Sequence, residues 1–138
     1  ISKRFSMSGI EIPRYGGACP RWNIYSAFTT PGKIQTAVSK MSNGEKYVCI
    51  ARTVEKGVGR YGETRSMLSI GLGCEAKYAK DFVYTENLNI NDKKSERPIG
   101  VSCRTCDRLD CSQRAFPPLH KKFDVDINSR GVSVYVSD

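Results

Sequence analysis

The chain has 138 residues, 39% hydrophobic and 26% charged, which suits one compact domain over residues 1–138 and excludes a disordered tail. No apolar run approaches membrane-spanning length and no charged-then-apolar leader opens the chain, so neither a membrane span nor a secretory signal is expected. Twenty-two Lys and Arg against fourteen Asp and Glu leave +8, which favours anionic partners, yet the basic residues are scattered and no basic helix suits a DNA groove.

In chain order, residues 1–23 are turn-rich, punctuated by Ser8-Gly9, Pro13, Gly16-Gly17 and Cys19-Pro20. Trp22 to Phe28 reads as a short helix ended by Thr29-Thr30-Pro31-Gly32. Ile34, Thr36 and Val38 alternate with Gln35, Ala37 and Ser39, the period of a half-buried strand. Asn43-Gly44 marks a hairpin turn, and Tyr47–Val54 forms a second strand rich in β-branched and aromatic residues. Gly57, Gly59 and Gly62 make a flexible connection to a third strand over Ser66–Gly73, ending at Cys74. Ala76, Ala79 and Phe82 share a face at spacings of three, which predicts a helix from Glu75 to Phe82. Residues 86–97 are polar and surface-like, Phe123–Asp126 adds a short extended piece, and residues 131–136 form a last strand or a loosely held tail. Three strands joined by short connections imply an α+β fold, an antiparallel sheet with flanking helices in the manner of PAS and GAF sensors. The opening residue, Ile1, suggests a domain cut from a longer protein or a processed form.

Six cysteines carry the chemistry: Cys19, Cys49, Cys74, Cys103, Cys106 and Cys111. The last three form C-x2-C-x4-C within nine residues, too close together to staple a fold with disulfides. A reduced, cytoplasmic setting fits them better. Thiolates are soft ligands that select zinc, copper(I) or iron–sulfur clusters. Structural zinc usually shows two ligand pairs, and this chain has one triplet and isolated singles. Arg104, Arg108 and Arg114 surround the triplet and would offset the negative charge of a thiolate-bound cluster. An iron–sulfur cluster, four-iron–four-sulfur, is therefore preferred, with zinc as the alternative. Cys74, at a strand end, is the expected fourth ligand and Cys19 the second choice, while Cys49 reads as a small core residue. His120 could complete a zinc site but reads more readily as an exposed loop residue. A Cys103-x2-Cys106 redox enzyme is the rival, disfavoured because no parallel βαβ pattern surrounds the pair. No catalytic residue is assigned, and the chain reads as a non-enzyme.

The chain resembles the C-terminal domain of the bacterial short-chain fatty-acyl transcriptional regulators. The resemblance rests on Ser8–Arg14, Gly16–Pro20, Trp22-Asn23, Ile50–Val54, Gly71–Cys74, Ile99–Cys106 and, most specifically, Asp107–Pro118. It implies a ligand- and redox-sensing domain for propionate or acetate metabolism, with short-chain acyl-CoA as effector and a cluster on Cys103, Cys106 and Cys111. It also implies that DNA is bound through a separate N-terminal helix-turn-helix, and it leaves a homo-oligomer open. The +8 charge suits the phosphates of CoA, for which Arg14, Arg52 and Trp22 are the candidate ligand-binding residues, with Arg21, Arg60 and Tyr25 nearby in character.

Overall fold

The structure is a computed structural model that describes residues 5–7, 18–57, 59–120 and 127–128. The expected extended piece at Phe123–Asp126 and the strand or tail at 131–136 lie outside these residues, as does Arg14. The chain runs through one short helix, α1 (Asn23–Ser26), then strands β1 (Gln35–Lys40), β2 (Lys46–Lys56), β3 (Ser66–Glu75) and β4 (Glu96–Pro98). Turns of 3-10 helix stand at Ala27–Thr29, Ala76–Asp81, Val83–Thr85 and Cys103–Thr105. The strands lie side by side in the order β3-β2-β1-β4. This is an α+β fold, as the strand pattern implies; the narrower likeness to PAS and GAF sensors is not established by it.

Two compact units account for the described residues. One draws on residues 22–39 and 46–97, the other on residues 1–21, 40–45 and 98–138.

The first unit is built on the long β2–β3 ladder, antiparallel from Tyr47 opposite Glu75 to Lys56 opposite Ser66. Paired residues share a face. Ala51 faces Gly71 and Cys49 faces Gly73, and on this side α1 closes down. The Asn23 side-chain amide donates to the Cys49 carbonyl at 3.2 Å, and a Cβ at Gly71 would collide with Ile24. Gly71 is thus a site of close approach, where the absent side chain lets the helix reach the strand. Val38 and Val48 are the largest fully buried side chains, and Ala27, Ala51, Ala79 and Tyr47 are buried as well. Burying each valine contributes about 1.5–3 kcal/mol. Cys49 is buried in this layer, in keeping with a core role.

The stretch after β3 is helical as expected, in the form of 3-10 turns. A strict three-residue spacing of apolar side chains is the period of a 3-10 helix, whose residues i and i+3 eclipse. The Thr85 hydroxyl donates to the carbonyls of Ala79 at 2.5 Å and Phe82 at 2.6 Å, fastening the two turns together. The polar segment 86–97 also holds more than surface turns, because Glu96 and Arg97 enter β4. Alternation cannot be read from so short a strand.

Candidate functional site

The second unit is made of connections. Beyond β4, Ile99 donates its N–H to the Lys40 carbonyl at 2.9 Å, and the Val101 carbonyl accepts from Cys19 N–H at 3.1 Å. That bond brings the segment around Cys19 against the segment that leads into the triplet. Ser102 then opens the 3-10 turn Cys103–Thr105, closed by Cys106 N–H donating to the Cys103 carbonyl at 3.4 Å. The two-residue gap of C-x2-C is therefore one turn of helix, which carries both sulfurs to the same side.

Arg114 holds the loop in shape. Its nearly buried guanidinium donates through Nη1 to the carbonyls of Cys103 (2.8 Å) and Phe116 (3.2 Å). Through Nη2 it donates to the carbonyls of Cys106 (3.0 Å) and Arg108. A loop this short cannot pair its carbonyls with one another, and a planar fork of donors replaces the missing ladder.

Cys19, Cys103, Cys106 and Cys111 line one small cavity of about 10 Å³. Arg21, Arg108 and Arg114 share the lining with Pro20, Pro98, Ile99 and Gly100, and no carboxylate is among them. Gly100 gives the sulfur of Cys106 its room: a Cβ there would stand 3.1 Å from Cys106 Sγ. Ala115 N–H donates to Cys103 Sγ at 3.4 Å. Burial pushes the Cys19 thiol up; N–H groups of Gly100 and Arg21 pull it the other way, and nearby Cys103 and Cys106 raise it further. Among the described residues, no three His, Cys, Asp or Glu side chains are gathered tightly enough to hold a single metal ion.

The other candidates fall elsewhere. Cys74 belongs to the sheet unit, opposite Val48 at the end of β3. Burial, then the neighbouring carboxylates Asp81 and Glu75, push its thiol up. Arg104 does not line the cavity; its guanidinium lies over the Phe116 ring, 4.6 Å from the centroid. His120 pairs through Nε2 with Asp107 at 2.6 Å on an exposed stretch. Trp22 precedes α1 half-buried, and Arg52 is exposed on β2 opposite Ile70. Neither reaches the cavity lining. The return of Cys19 depends on a backbone bond across more than eighty residues, which spacing cannot show. The usable signal was Cys19-Pro20, since a remote cysteine followed by proline closes the run in bacterial ferredoxins.

The family profile described as short-chain fatty acyl coenzyme A regulator, C-terminal, matches residues 1–135. The chain belongs to this family. It is 42% identical over 138 residues to the HTH-type transcriptional regulator RamB of Mycobacterium tuberculosis, covering 99% of this chain and 29% of that protein. The propionyl-CoA carboxylase regulator of Cereibacter sphaeroides is 42% identical over 135 residues, 98% of this chain and 29% of its own length. A solved Mycobacterium tuberculosis transcriptional regulator superposes with a TM-score of 0.85 at 35% identity, over 95% of this chain and 40% of that one. The chain thus spans under a third of the curated relatives it matches. These relatives are regulators. Among the described residues no helix is long and apolar enough to cross a membrane.

Proposed function

We propose that the chain is the sensor domain of a regulator of short-chain fatty-acid metabolism, and that Cys19, Cys103, Cys106 and Cys111 hold an iron–sulfur cluster. One observation carries this reading: four thiols from two distant segments line a single cavity walled by three arginines and no carboxylate. The donor set fits. All four donors are soft, and the surrounding charge is positive, suited to an anionic thiolate-bound group. A zinc ion would need its sulfurs about 2.3 Å from one point; thiols set around a cavity suit a polynuclear group whose sulfurs occupy separate corners. Cys74, in the other unit beside two carboxylates, is the weaker fourth ligand.

When bound, such a group supplies a one-electron redox couple and sensitivity to oxygen. The chain's own part is to present the sulfurs and exclude competing donors. Arg114 fixes the loop, Gly100 leaves room for Cys106, and Ala115 N–H supports Cys103.

Short-chain acyl-CoA as effector is drawn from the family's description and the names of its relatives. The sheet offers support. Leu68, Ile70 and Leu72 of β3 share a face with Val54, Arg52 and Ile50 of β2, and the β3 residues are exposed. That is an apolar strip with a guanidinium in its midst, on a chain of charge +8. DNA would be reached through the part of the regulator this chain does not span.

Anaerobic isolation tests the cluster. Visible absorbance with about four irons per chain is expected. Cys106→Ser should lose the iron while keeping its far-UV circular dichroism. Stoichiometric zinc without iron under the same conditions would overturn the reading.

A further inference from the structure

The two cavity arginines that follow the triplet's first pair spend their donors differently. Arg114 commits both Nη groups to the carbonyls of Cys103, Cys106, Arg108 and Phe116. Arg108 commits Nη2 to the Lys40 carbonyl at 2.9 Å. Its Nε, however, is shut off from solvent and has no hydrogen-bond partner among the described residues. A buried donor without a partner costs about 1–3 kcal/mol, more when it is charged. Such an atom points to an absent acceptor.

Arg108 lines a cavity that offers four sulfurs and no carboxylate. Tethering Nη2 to Lys40 fixes the plane of the guanidinium, so Nε–H is held ready and does not have to be ordered when an acceptor arrives. We infer that Arg108 is the positioning residue that sets the electron affinity of the thiol site: its Nε–H donates to a sulfur of the group held by Cys19, Cys103, Cys106 and Cys111. This rests on the cluster reading above. A hydrogen bond from a cation favours the state with more negative charge, and net charge and hydrogen bonds to sulfur are what set such potentials. Arg108 therefore makes reduction easier, while Arg114 acts on the fold of the loop.

The test is an equilibrium redox titration of the anaerobically reconstituted chain, with a reduced viologen dye giving up one electron per cluster. No protein bond forms or breaks in that step. Wild type is compared with Arg108→Lys, which keeps a charge without the Nε fork, and with Arg108→Met, which keeps neither. Iron content and circular dichroism are read on the same samples. The midpoint should fall in both variants at unchanged iron, further in Arg108→Met, where a tenfold loss in the reduction constant is about 59 mV for one electron. Midpoints equal to wild type would overturn the proposal. So would loss of iron from both variants with the fold intact, which would mean that Arg108 serves only to tie the loop to Lys40. Wild type that takes up no iron is a different failure and removes the cluster reading itself.

Discussion

Arg114 and Cys49 are buried for opposite reasons. Arg114 is a cation whose Nη donors are consumed by backbone oxygens in and beside the cysteine loop. Arg114→Ala leaves several carbonyls unsatisfied at once, and we expect a loss of about 3 kcal/mol or more at about 1–3 kcal/mol per stranded group. Arg114→Lys should recover only part of it, because a point charge cannot span the fork. Urea midpoints at constant slope would show this, and an Arg114→Ala midpoint equal to wild type would rule the keystone role out. Cys49 is a neutral thiol in the sheet. Burial pushes it up, opposed by a hydrogen bond with Ser39 and reinforced by Cys74. The folded state keeps this proton longer than the unfolded chain does. Its stabilisation is complete below the unfolded value of about 8.5 and is lost as pH rises through the folded one. Stability should therefore fall more steeply in alkali for wild type than for Cys49→Ala; parallel profiles would count against it.

At the scale of elements, the two units respond to different glycines. Gly71→Ala drives a methyl into Ile24 of α1 and should cost about 1–3 kcal/mol of stability without touching metal content. Gly100→Ala presses on Cys106 Sγ instead, and should lower retained iron more than it lowers the urea midpoint. Equal effects of both on iron would break the assignment of the site to the connection-built unit. The same contrast explains what was legible beforehand. β1, β2 and β3 were legible from their β-branched and aromatic content and the Asn43-Gly44 turn, where only the glycine takes positive φ (91°), because those signals are local; the alternation expected of β1 is not kept, since Ala37, Val38 and Ser39 are all buried. The triplet was legible because its cysteines are neighbours in sequence. Cys19 was not preferred, since its approach depends on one backbone bond to Val101 within a unit that has no periodicity to read. Arg104 and Arg114 look equivalent in sequence, and only the fold turns one onto Phe116 and the other into the loop.

For the whole molecule, the surplus of +8 bears on the effector more than on DNA. Propionyl-CoA binding should weaken as salt is raised, because phosphate contacts are screened. Arg52→Glu should weaken it further by reversing the charge beside the β3 strip. Calorimetric titration with salt-independent affinity, or full binding by Arg52→Glu, would move the effector away from the sheet face. The central claim concerns the thiols. It is tested most directly by iron and acid-labile sulfide per chain after anaerobic reconstitution, comparing Cys19→Ser with Cys74→Ser. A four-thiol site on Cys19, Cys103, Cys106 and Cys111 predicts that Cys19→Ser loses most of its iron and sulfide while Cys74→Ser matches wild type; the reverse result would contradict it.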